Sequence, residues 1–437
     1  MNTTTMPMQN TLVEKISNFI RTELSESFAL KSTLLIWTIA QLSYFYYYGL
    51  SKGGDSISFI LGADEFLKGN IANSGVHDYF TYVLLMSVIK LFSLPPLAVI
   101  PVQIALHLIA TYCLFKSLII IYKNPMAAMI VCYAFCVAPF APRWSLYILS
   151  DSLFISGIPI AFYLFLTATT PWKKAFTAIV TVFLIISRPN GIILLAGIAA
   201  FILTKFVKSA DKKKLWGLGI GFVLLLPAML LFIERKFAAI GVLDIYLKGN
   251  IVWSFEKGSL IFPPDGFVPK TSSELLNLAL FAFHNFGYFI KLSLLKIYYF
   301  LSFSLPINGI TFQNLYRFWW IPTYVLLILG LKNVKTGLKI EHKMMLITAF
   351  IAQVFMVAIT YNDYDMRFMQ HVMPILAILW AGAITQRSFY DFLIIKPKSM
   401  ITSLISIWPI LMATFFFCES LTIIRNLKEL LNYFSIL

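Results

Sequence analysis

The chain has 437 residues, 59% of them hydrophobic and 13% charged, with a mean hydropathy of +0.80. A soluble domain carries about a quarter of its residues as charges, so a water-facing globule is excluded and the apolar surplus has to meet lipid. The net charge of +15 would suggest nucleic acid in a soluble protein; here it is what loops obeying the positive-inside rule supply, and no nucleic-acid partner is expected.

In chain order, residues 1–31 are polar, with Leu12, Ile16, Phe19, Ile20 and Leu24 on one helical face. They read as a cytoplasmic amphipathic segment lying on the membrane. No small-residue cleavage site follows the first apolar run, so that run reads as an anchor. Residues 32–437 read as one transmembrane domain. About 20 apolar residues cross a bilayer. The qualifying runs are 33–50, 97–122, 126–142, 152–170, 175–189, 191–207, 215–233, 318–331, 344–361, 371–385 and 401–424.

Two more runs, 79–94 with Lys90 and 286–304 with Lys291 and Lys296, are ambiguous. Laying both along the outer interface puts Lys173-Lys174, Lys205, Lys208, Lys212–Lys214, Lys332, Lys335, Lys339, Lys343, Arg387, Lys396 and Lys398 on the cytoplasmic side. The expected fold class is therefore all-α: a polytopic integral membrane protein with a bundle of 11–13 transmembrane helices and outer-face juxtamembrane helices. Outer loops fall at 51–96 and about 235–316. The four cysteines lie inside apolar runs as buried thiols, not as disulfides or a metal site.

With this topology the remaining ionisable residues gather at the outer rim: Asp55, Arg143, Asp151, Arg188, Glu234, Arg235, Asp363, Asp365, Arg367 and His371. Charges near membrane depth are costly and mark function, although any single one at a helix end can be a snorkelling anchor. In the first outer loop Ile57–Gly69 reads as a short amphipathic helix. Asp55, Phe59, Ala63 and Phe66 share its apolar face, with Asp64, Glu65 and Lys68 opposite. Asp64 and Lys68 have i,i+4 spacing, and Asp55 stands where a capping residue would. His107 and Gln103, one turn apart, suit interhelical hydrogen bonds. His284 and Asn285 read as a polar helix start.

The order of these landmarks resembles the GT-C superfamily of lipid-phosphate-sugar-dependent glycosyltransferases, in particular the bacterial relatives of protein O-mannosyltransferases and aminoarabinose transferases. The resemblance rests on Asp55, Phe59, Ala63, Phe66, Leu67 and Gly69, then Pro142-Arg143 leading to Asp151-Ser152-Leu153-Phe154. Arg188-Pro189-x-Gly191 follows, and then Arg367 before His371-Val372-Met373-Pro374. It covers residues 33–205 and 360–385 and is weak between.

The resemblance implies inverting transfer of a sugar from a polyprenyl-phosphate donor to a glycan, lipid or protein acceptor, at the outer face of a bacterial plasma membrane. It implies that Asp55 is the general base, that Arg188 and Arg367, with Arg143, bind the carrier phosphate, and that Asp151 stands near the catalytic centre as a supporting or metal-associated acid. The adjacent Asp-Glu pair of the mannosyltransferases occurs here only as Asp64-Glu65, so the base lies between Asp55 and that pair. Asp363-Tyr364-Asp365 has DxD spacing, which leaves a divalent metal open as a cofactor. The alternative readings are a transporter or lipid flippase, and a lipid-linked polysaccharide polymerase or ligase. The feature that discriminates against the latter is the position of the acid, which here comes right after the first span, and both alternatives stay open.

Overall fold

The structure is a computed structural model. It describes residues 25–52, 54–71, 74–137, 141–209, scattered positions within 217–240, then 241–252, 261–302 except 262 and 265, 323–332, 337–362 and 367–385. The amphipathic 1–24 stretch, the run at 401–424 and Asp363-Tyr364-Asp365 lie outside the described residues.

The described residues form helices and no strands, with isolated bridges at Ser51–Tyr147 and Val252–Asn362. The helices are α1 (Glu26–Tyr48), α2 (Ser56–Leu67), α3 (Phe80–Leu91), α4 (Val99–Tyr122), α5 (Pro125–Val137), α6 (Ser150–Thr167) and α7 (Pro171–Ile185). They continue with α8 (Ile192–Ser209), α9 (Val242–Leu247), α10 (Glu274–His284), α11 (Phe286–Leu301), α12 (Thr323–Lys332), α13 (Ile340–Ile359) and α14 (Arg367–Ile384).

Five helices among the described residues are long and apolar enough to cross a membrane: Pro96–Tyr122, Ser150–Thr167, Pro189–Lys208, Ile340–Ile359 and Arg367–Ile384. The pair α10 and α11, bent by 109°, makes a sixth if it is one broken span. Helices α3, α5 and α12 are apolar but shorter. This is the architecture of a multi-pass helical membrane protein, with lipid-compatible side chains such as Leu35, Leu42, Ile179, Leu203, Ile351 and Phe355 facing outward.

Helix α14 is the hub. Beyond His371 its sequence is apolar on every side, as in a core helix or a membrane span, and all its residues but Phe368 are buried within the protein. It packs on α4, α5, α6 and α13, while α8 lies along α13. Small residues set that second approach. A Cβ at Gly197 would lie 2.8 Å from the Met345 carbonyl and 3.2 Å from the Ala349 side chain, so glycine lets the two backbones meet.

Helix α2 follows its expected amphipathic pattern: Phe59 and Ala63 are buried, and Phe59 packs edge-on against Tyr79 and Tyr82. Cys113, Cys132 and Cys136 are buried free thiols. Gln103 and His107 both bond across helices. Gln103 donates to the carbonyls of Tyr147 (2.6 Å) and Ser145 (3.2 Å) and accepts from Tyr82 (2.7 Å), and His107 Nδ1 accepts from Trp37 Nε1 (2.8 Å).

Candidate functional site

Three local structures bring distant charges to one end of the bundle. The first joins the exit of α1 to the lead-in of α6. Ser51 N–H donates to the Leu146 carbonyl and Ile148 N–H to the Ser51 carbonyl, both at 3.2 Å. Gln41 Nε2 donates to Ser145 Oγ at 2.7 Å and pins the same segment from α1. Asp55, just before α2, and Asp151, in the first turn of α6, are thereby drawn together.

The second is the turn after α7. Proline pushes the residue before it into an extended conformation, and Arg188 is extended (φ −157°, ψ 155°) ahead of the 3-10 turn Pro189–Gly191. A Cβ at Gly191 would stand 1.9 Å from the Ile185 carbonyl, so only glycine allows the turn to close on α7. The third is the lead-in to α14, where Asn362 N–H donates to the Ile251 carbonyl at 2.9 Å, five residues before Arg367.

The cluster centres on Asp151, whose side chain is 1% exposed. Arg188 Nη1 is in direct contact with Asp151 Oδ1, and His371 Nε2 lies 3.0 Å from the same oxygen. Arg367 Nη1 is 2.7 Å from Asp55 Oδ2 and 3.7 Å from Asp151 Oδ2, and so bridges the two acids. Asp55 is the open member, with 45% of its side chain exposed.

Asp55 makes no side-chain hydrogen bond to the first turn of α2; its carboxylate turns to Arg367 instead of capping the helix. Behind the acids, Asn190 Nδ2 lies 3.2 Å from His371 Nδ1. An amide donating to Nδ1 leaves the ring proton on Nε2, where it is donated to Asp151. The Arg188 guanidinium lies 5.9 Å from the Tyr79 ring centroid, and its Nε is buried without a hydrogen-bond partner among the described residues.

Asp55, Asp151, Arg188 and Arg367, four of the seven residues singled out from the sequence, therefore converge. The other three lie elsewhere. Arg143 stacks over Tyr48 (4.5 Å to the ring centroid), with Trp144 and Tyr147 beside it. Asp64 pairs with Lys90 Nζ at 2.5 Å rather than with Lys68, because α3 packs alongside α2 and brings Lys90 closer. Lys68 pairs with Glu65 at 3.0 Å, and Asn70 Nδ2 donates to Glu65 at 2.7 Å. The Asn70 amide and the Lys68 ammonium hold the Glu65 carboxyl below its ordinary range.

Glu234 is also outside the cluster: it accepts from the Glu274 and Leu275 N–H groups and from Ser273 Oγ, and so anchors the start of α10. His284 Nδ1 bonds the Leu280 carbonyl at 2.7 Å.

Sequence reasoning gave no role to Asn190, and His371 was noted only as one of the rim charges and part of a motif; their signal is the spacing from Arg188 and Arg367, two and four residues along. Among the described residues no group of three or more His, Cys, Asp or Glu is arranged to hold a metal ion. At the cluster itself, two guanidinium groups around Asp151 oppose a second cation.

Comparison with known proteins adds no relative: no family model matches the chain, no curated protein matches its sequence and no solved structure matches its fold.

Proposed function

We propose that the protein is an inverting glycosyltransferase that moves a sugar from a polyprenyl-phosphate carrier to an acceptor hydroxyl, within an 11–13-span GT-C-like bundle. The observation that carries this reading is the cluster itself, in which one partly open carboxylate sits against a buried Arg–Asp–Arg–His array. Asp55 has the exposure to take the proton of the attacking hydroxyl. Asp151, enclosed by two guanidinium groups and an imidazole, has the role of fixing Arg188 and Arg367 in place. The arginines then offset the charge that develops on the departing lipid phosphate.

Two further features support the reading. Lys173 and Lys174 at the start of α7, Lys208 near the end of α8 and Lys339 before α13 stand at the helix ends opposite the cluster. Lys208 is tied to Glu341 there at 2.8 Å. Helix α8, with 18 residues, separates the ends by about 27 Å, close to the ~30 Å hydrocarbon thickness. By the positive-inside rule the cluster then faces outward. In addition, an apolar cleft walled by Phe162, Phe165, Leu184, Gly197, Met345 and Ile375 begins one turn from His371 and from Arg188. Such a cleft matches the apolar character of the carrier's hydrocarbon chain, with room for a short stretch of it.

The test is incubation of the purified protein with a panel of polyprenyl-phosphate sugars, following transfer or hydrolysis. Turnover that disappears in Asp55→Asn supports the reading; no turnover with any donor refutes it and favours a transporter.

A further inference from the structure

Away from the charged cluster, the described residues enclose one lysine completely. Helix α11 has two faces. Phe286, Ile290, Leu294 and Tyr298, four residues apart, point outward, whereas Leu292, Lys296 and Phe300 form the buried stripe. Lys296 is 0% exposed, and its Nζ stands 3.8 Å above the ring centroid of Tyr246 without a hydrogen-bond partner among the described residues.

The Tyr246 ring is a fixed floor. Its hydroxyl donates to the Ala358 carbonyl (2.9 Å) and meets Ser293 Oγ (2.8 Å), and its ring stacks on Phe289 at 4.5 Å. The Lys296 carbonyl is held in turn by Asn362 Nδ2 at 2.9 Å. One turn beyond Tyr246, the Asn250 side-chain amide is buried with Oδ1 unpartnered among the described residues.

An ammonium over an aromatic face recovers only part of the hydration it gives up, and three N–H donors remain unmet. The described carboxylates of the surrounding elements are committed elsewhere. Asp244 pairs with Lys248 at 2.8 Å, Glu274 accepts from the Leu243 N–H at 2.8 Å, and Glu234 anchors α10. A buried amine over a fixed ring, with no acceptor among the described residues, becomes half of an ion pair when an acidic ligand supplies both the proton and the negative charge. Lysine offers a compact point charge, which suits a tetrahedral phosphate oxygen, whereas a planar carboxylate is matched better by the arginine fork.

We propose that Lys296, with Tyr246 as its floor, forms a second oxyanion site that takes a phosphate group, free or borne on a lipid. The site is separate from the Arg188–Asp151–Arg367 cluster and does not depend on the glycosyl-transfer reading.

The experiment is thermal unfolding of the purified full chain in detergent, titrated with inorganic phosphate or with octyl phosphate, against chloride at equal ionic strength. The Arg188→Gln background removes one of the cluster's two guanidinium groups and leaves Arg367. A saturable phosphate-dependent rise in melting temperature is expected to persist in Arg188→Gln, and its midpoint is expected to move at least tenfold in Lys296→Met. Ligand-free Lys296→Met should melt no lower than the parent, since it removes an unpaired buried amine. A response to both probes assigns the site to free phosphate, and a response to octyl phosphate alone assigns it to a lipid-borne one.

A midpoint unchanged in Lys296→Met, or no phosphate-specific response in the parent, overturns the proposal. If Lys296→Met does not fold, Lys296→Arg carries the same test, because the fork cannot reproduce a point contact in this space; an unmoved midpoint there also overturns it.

Discussion

Replacing Asp151 with asparagine keeps the shape and one oxygen for the His371 Nε2–H but deletes the charge. Arg188, 6% exposed, then has no carboxylate in contact, while Arg367, 9% exposed, keeps Asp55 at 2.7 Å. Breaking a buried ion pair by removing one partner costs about 3–5 kcal/mol, because the remaining charge is stranded. That corresponds to roughly two to three and a half decades in the folding equilibrium. Reversible unfolding in mixed detergent micelles should register this loss for Asp151→Asn. The double variant Asp151→Asn, Arg188→Gln removes the stranded charge and should recover at least half of it. A single variant within about 0.5 kcal/mol of the parent, or a double variant as unstable as the sum of the two singles, would refute Asp151 as the electrostatic keystone.

Asp55→Asn should lower sugar transfer by about 10²–10⁴-fold while leaving membrane insertion intact; full activity there, with loss in Glu65→Gln, would move the base down the loop. Asn190→Leu strands the His371 Nδ1 acceptor at a cost of about 1–3 kcal/mol, and a melting temperature equal to the parent's would remove Asn190 from the array. Gly197→Val drives a branched side chain into the Met345 backbone and should destabilise by about 1–3 kcal/mol. Unchanged thermal unfolding of that variant would mean α8 and α13 can separate freely.

Local periodicity made part of this molecule legible in the sequence. The apolar face of α2 followed from Phe59 and Ala63 at helical spacing, and the bonded pair Gln103 and His107 followed from polar groups inside an apolar run. The charges of the cluster were visible as types at helix ends, but their partners were not. Arg367 meets Asp55 across 312 positions and Asp151 meets His371 across 220, and no local pattern encodes such pairings.

The same limit explains the residues that moved. Arg143 and Asp64 look like neighbours of the cluster in order along the chain, yet Tyr48 and Lys90, on other helices, claim them. For Lys296 a sequence signal existed, since Leu292, Lys296 and Phe300 share the i, i+4 register of a buried stripe. Its charge argued the other way, and the sequence reading treated it only as a reason to keep the run out of the bilayer.

The enclosure of α14 has a consequence for how the protein is made. Asp151 and Arg188 leave the ribosome some 180 to 220 residues before Arg367 and His371, going by their positions in the chain. During that interval the growing bundle carries an acid and a guanidinium at the mouth of a slot with no helix in it. The insertion machinery therefore handles a half-built protein whose central seat is vacant, and arrival of the Arg367–Ile384 segment both fills the seat and completes the ion array. A nascent chain stalled ahead of residue 367 should stay bound to the insertase, whereas one released after 384 should let go.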